Sequence, residues 1–287
     1  MTVRGPVLYR LPRGRAVRWL LSEAPRLGLV DSPLARPQGI SAYVRVKNEE
    51  DWIEPSLLSI QTAVDELVVV DNGSTDRTPG ILARLQQSLG PKLRLYSQPH
   101  LDHVALSNFA LAHTRYRWAL RWDGDFIAHT TGPQSIAKLR TRLLGLPPHS
   151  HYHIYLMCVE LLGDLWHHQR GYEIRNDPFV STVSRRLQYV RVTRRVPQRR
   201  LVGLTPLLRT DPRAVYTLRF EGIKVPLEYQ VLIWPEVYHF HMHIDSGLRM
   251  YLRDCWTDWL EHPALQARHP SLEAYALDRA KRLLGVN

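Results

Sequence analysis

Two carboxylates separated by one glycine, Asp123 and Asp125, close an apolar, aromatic-rich run in "RWALRWDGDFIAH", Arg117 to His129. At neutral pH such a pair repels itself unless positive charge lies beside it. A turn, a basic neighbour or a bound metal ion could each supply that charge. Carboxylate oxygens are hard ligands suited to Mg2+ or Mn2+, and Mg2+ takes one or two carboxylates together with substrate phosphates. An Asp-x-Asp turn at a strand end can aim one side chain at the ion and the other at a bound ligand. The central glycine permits a tight turn and removes bulk near that ligand. In isolation an Asp-x-Asp more often decorates a surface turn, so its meaning rests on its surroundings.

Two further constellations carry chemistry. Asp71 ends the run "DELVVVDNGSTDRT" and is either a turn-forming residue or a ligand acceptor. In "VYHFHMH", His239, His241 and His243 share one face if the segment is a strand, because side-chain direction has period two. They could meet a metal or form a polar face that lines a pocket without one. A zinc hydrolase would need an H-E-x-x-H pattern, which the sequence lacks.

The elements that must position these residues are legible from Gly39 onward. "ISAYVRV" reads as a strand, "WIEPSLLSIQTAV" as a helix, and Leu67 to Val70 as a strand buried on both faces. "TPGILARLQQSL" is helical, "KLRLYSQ" a strand, "LSNFALAHTRY" a helix and "RWALRW" a strand. Strand-then-helix units repeated from Ile40 to Asp125 predict a parallel sheet with right-handed crossovers, in which ligands bind outside the carboxyl ends of the strands. Asp71 and the Asp123/Asp125 pair both fall at that edge and are expected to face one pocket. Later segments read as a helix ("SIAKLRTRLLGL"), strands ("HYHIYLMCVELLG", "VSRRLQYVRVTRRVPQRRL", "YQVLIWPEVYHFHMH") and a terminal amphipathic helix ("SGLRMYLRDCWTDWLEHP").

Composition sets the limits. The chain has 287 residues, 44% hydrophobic and 23% charged, which suits one large α/β domain or two small ones. Its net charge of +11 predicts attraction to something anionic. Cys158 and Cys255 read as buried thiols in a reducing compartment. No stretch approaches the roughly 18 apolar residues of a membrane span, and the arginine-bearing first thirty residues contain no clean signal peptide. A cytoplasmic protein, peripheral to the inner face of a membrane if it meets one, is the expectation. The segment Arg185 to Arg200 is arginine-dense: a solvated basic face, or an attraction for diphosphate, acidic glycan or anionic lipid. Its aromatics are too sparse for a single-strand nucleic-acid platform.

The blocks "AYVRVKNEEDWIEPSLLSI", "DELVVVDNGSTDRT" and "WALRWDGDF", in this order and spacing, resemble family 2 glycosyltransferases of the GT-A fold over about Ile40 to Ala128. The resemblance implies a Rossmann-like, mainly parallel central sheet flanked by helices, with a less regular C-terminal acceptor-side part. The implied organisation is an N-terminal arm (1–38), a nucleotide-sugar-binding half (39–130), an acceptor-side half (131–245) and a C-terminal helical segment (246–287). It also implies an inverting, metal-dependent transfer from a nucleotide-diphosphate sugar to a hydroxyl acceptor, which is a glycan, a lipid-linked molecule or a small molecule. Asp71 would bind the nucleotide base, and Asp76 would organise its loop. Backbone around Val44 to Lys47 would complete the pocket, with Arg45 or Lys47 available to a phosphate. Asp123 would contact the nucleotide-sugar and Asp125 the ion, Mn2+ or Mg2+, in a DXD motif. A late histidine, His241 before His239, would complete the coordination. The general base would be a carboxylate, Asp164 first and Glu160 second, with Asp177 and Glu228 as further candidates.

The competing readings fit less well. A strand ending in "DGD" also occurs in haloacid-dehalogenase phosphatases, but that fold begins with this strand and continues with Thr or Ser, where Phe126 and Ile127 stand here. A nucleotidyltransferase would carry a Gly-rich basic loop where this chain has "KNEEDWIEP". A non-catalytic basic module on the same shell would have no need of Asp71, Asp123 and Asp125.

Overall fold

The computed structural model describes residues 7–8, 19–21, 23–162, 179–197, 215–243, 255, 259 and 263–284. The strands are β1 (Val7–Leu8), β2 (Ile40–Val46), β3 (Glu66–Asp71), β4 (Leu93–Ser97), β5 (Trp118–Asp123), β6 (Phe126–Ala128), β7 (Tyr152–Leu162), β8 (Phe179–Thr182), β9 (Gln188–Pro197), β10 (Val215–Lys224) and β11 (Gln230–His243). The helices are α1 (Ile53–Ile60), α2 (Thr78–Leu89), α3 (His103–Ala112), α4 (Ile136–Leu144), α5 (Pro263–Arg268) and α6 (Leu272–Leu284).

The expected parallel half is present. β2 pairs in parallel with both β3 and β5, and β3 with β4. Its sequence runs are apolar because both faces are covered, and the faces separate by parity. Ala42, Val44, Leu67, Val69, Leu120 and Trp122 enter one core, with α1 and α2 supplying Leu57 and Leu82. Tyr43, Val68, Val70 and Ala119 enter a second, with Leu106 and Ala110 of α3. Side chains that alternate into two dry layers leave no polar face, so the period-two pattern vanishes and a continuous apolar run remains. Asp102 caps α3 by accepting from Ala105 N–H at 2.9 Å, and Ser135 caps α4 by accepting from Ala137 N–H at 3.3 Å.

The whole sheet is mixed, however, in the order β1-β11-β7-β8-β5-β2-β3-β4, with β6 against β11. β8 inserts antiparallel between β5 and β7, pairing Trp118 with Thr182 and Ile154 with Val180. A strand this short carries little periodic signal, and the sequence reading missed it, together with β10; α5 and α6 fall within the stretch 246–287 expected to be helical. β9 and β10 form a separate antiparallel pair. The chain divides by its contacts into Met1–Cys158 with Glu173–His239, and Val159–Tyr172 with Phe240–Asn287. Within the second unit Cys255, Tyr275 and Ala276 form a small core, and Trp259 and Leu265 pack against it. The expected terminal helix over "SGLRMYLRDCWTDWLEHP" lies outside the described residues except for Cys255 and Trp259, both helical, and Pro263, which opens α5. Both described cysteines are buried and unbridged. Among the described residues, no helix is long and apolar enough to cross a membrane.

Candidate functional site

The carboxyl edge of the parallel strands gathers the candidate residues by register alone. Val46 of β2 stands opposite Asp71 of β3, and Arg45 stands opposite Asp123 of β5. With β2 between them and neighbouring strands about 4.8 Å apart, the two aspartates lie roughly 10 Å apart across the edge. They leave the sheet on different parities, though: Asp71 shares that of Leu67 and Val69, whereas Asp123 shares that of Ala119 and Arg121. Val44 lies further inside, paired with Val69 and Trp122 and fully buried, so the lip of this strand is made by Val46 and the exposed Lys47.

Asp71 anchors its own turn. Its carboxylate accepts from Ser74 N–H at 3.1 Å and from the Ser74 hydroxyl. The loop after β3 is then stitched to the loop after β2. Asn48 N–H donates to Ser74 Oγ at 2.9 Å, Thr75 N–H to Asn48 Oδ1 at 2.8 Å, and Glu49 N–H to Thr78 Oγ1 at 2.9 Å. Asp76 accepts from Glu50 N–H at 3.2 Å and from Thr78 N–H at 2.9 Å, which is the loop-organising part expected of it. Hydrogen bonding to Thr78 and Glu50 outweighs desolvation and holds the Asp76 carboxyl below its ordinary range. The stitch forces Asn48 into left-handed backbone at φ 56°.

Gly73 is at φ 74°, and a Cβ placed there would sit 2.8 Å from Pro99 Cβ. Gly73→Ala is therefore expected to lose about 1–3 kcal/mol of stability, from positive φ and the close approach together. Urea unfolding checks this, and an unchanged midpoint would show that the loop can yield.

The DGD turn is pinned from beneath. Trp122 Nε1 donates to Ser56 Oγ at 3.0 Å, and that hydroxyl donates to Asp123 C=O at 3.1 Å. Phe126 meets the Trp122 ring edge-on at 5.4 Å. Gly124 spares room for the protein itself, since a Cβ there would meet Glu49 Cγ at 3.0 Å. Of the charge sources open from sequence, a basic neighbour is the one present on Asp123. Arg45 Nη2 donates to one oxygen at 3.3 Å, and Arg121 Nη2 to the other at 2.6 Å. Arg45 also reaches Ser107 Oγ at 2.7 Å, and its guanidinium lies 5.9 Å from the Tyr189 ring centroid. Burial pulls the Arg45 pKa down, but Asp123 and the Tyr189 and Tyr43 hydroxyls outweigh it and leave the pKa raised. Tyr43 and Tyr189 share a hydrogen bond at 2.9 Å, and burial raises the pKa of both. Arg45, one of the two charges available to a phosphate with Lys47, is thus held beside Asp123.

The metal candidates are placed as follows. Asp125 is half-buried and lies in the turn, outside the β5 ladder. His239 is fully buried and packs against Trp122 and Phe126 with ring centroids 4.9 and 4.8 Å away. His241, half-buried, falls in the second unit, as does the backbone of His243. No three His, Cys, Asp or Glu side chains converge as a metal-binding group among the described residues. A hard divalent ion that takes one carboxylate and completes its shell with ligand phosphates and water needs no such cage, so Asp125 fits it.

Of the candidate bases, Glu160 lies on β7 in the second unit, and Asp164 and Asp177 lie outside the described residues. Glu228 is buried, with both oxygens 3.2 Å from Arg186 Nη1. Of the arginine-dense segment, Arg185 faces Asp31 at 3.7 Å and Arg191 faces Asp102 at 3.4 Å. A cavity of about 830 Å³ is lined by Arg36, Asn108, Leu111, Arg185 and Leu187 among others, and by neither Asp123 nor Asp125. Arg121 escaped the sequence reading, and its signal was a charged residue inside an otherwise apolar strand.

Comparison with known proteins now bears on this geometry. Residues 41–139 match the model of glycosyl transferase family 2. An uncharacterized glycosyltransferase of Rickettsia bellii is 36% identical over 86 residues, covering 30% of this chain and 27% of that protein. The chain thus spans about a quarter of the length of the curated relatives it matches. Among solved structures, S. aureus TarS 1-349 aligns with 85% of this chain and 72% of its own at 15% identity and a TM-score of 0.41. A Pyrobaculum calidifontis mannosyltransferase in complex with GDP-Man and Mn2+ aligns with 51% of this chain and 47% of its own, at 24% identity and a TM-score of 0.35. The stretch that matches the glycosyl transferase family 2 model, residues 41–139, is the one that holds β2 to β6 with both stitched loops and the DGD turn.

Proposed function

We propose that this chain is an inverting glycosyltransferase that moves a sugar from a nucleotide-diphosphate donor to a hydroxyl acceptor with Mn2+ or Mg2+. The observation that carries the reading is the register that sets Asp71 and Asp123 on either side of β2 at the carboxyl edge of a parallel sheet. Strand ends of this kind are where open α/β sheets bind ligands. Asp71, rigid in its turn, offers acceptor capacity to the N–H groups of a base, and Asp123 offers it to a ribose or sugar hydroxyl. Asp125 would hold the divalent ion, which when bound offsets the charge that develops on the leaving diphosphate. Lys47, exposed at the lip of β2, adds a mobile positive charge for the same phosphates. A carboxylate, Asp164 or Glu160, would take the acceptor proton as its oxygen attacks the anomeric carbon and the bond to the diphosphate breaks.

Thermal shift with UDP, GDP, CMP and dTDP, each with Mn2+ and then with EDTA, tests this. One nucleotide should raise the melting temperature by several degrees and lose the effect on chelation, since binding at a hundredfold above Kd stabilises by about 2.7 kcal/mol. Stabilisation by a DNA or RNA oligomer alone, with steep salt dependence, would replace the enzyme by a basic binding module.

A further inference from the structure

Arg121 is 7% exposed on a sheet face that Tyr43, Val68, Val70 and Ala119 line and that Arg45 and Asp123 share. A buried guanidinium is a costly core residue unless it is paired, and an apolar side chain of similar volume would fill that space more cheaply. Arg121 forms an ion pair with Asp123, at 2.6 Å. Arg45, 9% exposed and one strand over, takes the other oxygen of the same carboxylate, and the register of β2 against β5 fixes that approach because Arg45 stands opposite Asp123. The two guanidinium groups together set both oxygens of Asp123. Above them, Tyr189 is itself fixed: its N–H donates to Asn108 Oδ1 at 2.7 Å, and its carbonyl accepts from Asn108 Nδ2 at 2.9 Å.

We propose that Arg121 is a positioning residue for donor binding: with Arg45 it locks the Asp123 carboxylate in one orientation, so that Asp123 serves the bound nucleotide-sugar and leaves the ion to Asp125. This rests on the nucleotide-sugar reading. A carboxylate held at each oxygen by a buried guanidinium cannot swing through the DGD turn to share the ion. Its remaining lone pairs point where the two guanidinium groups leave room. Packing alone does not account for a charged residue at this position, and the pairing with Asp123 does.

The test is calorimetric titration of Mn2+ with UDP, GDP, CMP and dTDP into the wild type, Arg121→Met, Arg121→Lys, Asp123→Asn and the double variant Arg121→Met/Asp123→Asn. Arg121→Met should keep its fold by circular dichroism yet bind the preferred nucleotide about ten- to hundredfold more weakly, the usual effect of removing a partner that orients a ligand. Arg121→Lys should recover part of the loss, because a point charge replaces the fork incompletely. In the Asp123→Asn background the Met substitution should add less than about twofold, since it acts through the carboxylate already removed. Wild-type affinity in Arg121→Met, or a full additive loss in the double variant, overturns the proposal while the donor reading stands. If the wild type binds none of the nucleotides, the donor reading falls and the proposal with it. Should Arg121→Met fail to fold, Arg121→Gln carries the same comparison.

Discussion

Asp125→Ala is expected to lower Mn2+-dependent donor turnover by about a thousandfold or more, equivalent to about 4 kcal/mol of transition-state stabilisation. The expectation follows from how the two carboxylates of the turn are used. Asp123 closes β5 with an arginine on each oxygen, whereas Asp125 stands beyond the ladder, after Gly124. Removing Asp125 therefore takes away the carboxylate proposed to hold the ion and leaves the Ser56 and Trp122 supports of the turn in place. The Ser56 and Trp122 hydrogen bonds beneath it involve backbone and side chains other than Asp125. Ala128 N–H still donates to Ser59 Oγ at 3.0 Å. The variant should unfold within about 1 kcal/mol of the wild type. Asp125→Asn, which keeps shape and loses charge, should be nearly as inactive, because a neutral amide oxygen is a poorer ligand for a hard divalent ion. Radiolabelled or coupled donor-hydrolysis assays with Mn2+ read the effect once the donor is known. Full activity in either variant would remove Asp125 from the metal site, and a collapsed fold would give it a structural part instead.

How far this site was legible in the sequence depends on the kind of interaction. The strand ends were legible because burial on both faces writes a continuous apolar run, and Asp71 and Asp123 mark where two such runs stop. The parallel order followed, since helices of crossover length lie between the strands. The partner of Asp123 was not legible. Arg121 precedes it by two positions on the same face, and Arg45 arrives only through the register of β2 against β5, a long-range pairing that periodicity does not encode. The stitch between the loops after β2 and β3 was hidden for the same reason: Asn48 with Thr75 and Glu49 with Thr78 meet only once the strands are side by side. Gly124 shows the limit of reasoning from one motif. Its small size was expected to serve a ligand, and the structure sets it against Glu49. β8 was missed because four residues of mixed polarity, Phe179 to Thr182, carry no readable period, yet it is the strand that turns the sheet from parallel to antiparallel beside β5.

That same strand bonds a buried histidine that makes the fold sensitive to pH. Lowering the pH from 7.5 to 5.0 should cost the first unit about 2 kcal/mol through His153 alone. The side chain of His153 is fully buried, bonded through Nδ1 to Ser181 Oγ at 2.6 Å and packed against Tyr155 and Phe179 with ring centroids 4.7 and 4.8 Å away. Burial drives its pKa down to about 3. His151 is shifted the same way by burial, partly opposed by its hydrogen bond to the Asp31 carbonyl at 2.8 Å and by the charge of Glu228. The sign follows from proton uptake. An unfolded chain binds a proton at these rings near pH 6.5, and the folded one does not, so the unfolded state binds more protons throughout the window. Stability is therefore complete above about pH 6.5 and falls as pH drops toward the folded pKa, by about 1.4 kcal/mol per unit for each ring that stays neutral. Carboxylates join from about pH 5 downward: the pKa of Asp65, whose desolvation is outweighed by Arg140 at 2.7 Å and by Ile40 N–H, is lowered from the ordinary Asp value. Between about pH 6.5 and 5, the pKa shifts among the described residues assign the loss to histidines. Urea unfolding at pH 7.5 and 5.0, followed by tryptophan fluorescence, measures it, and His153→Phe isolates the group by keeping the ring volume without a titrating nitrogen. The variant should start less stable for want of the Ser181 hydrogen bond, yet lose about 2 kcal/mol less than the wild type on acidification. An equal loss in both proteins would assign the acid sensitivity to other groups and would mean that His153 accepts its proton within the folded sheet.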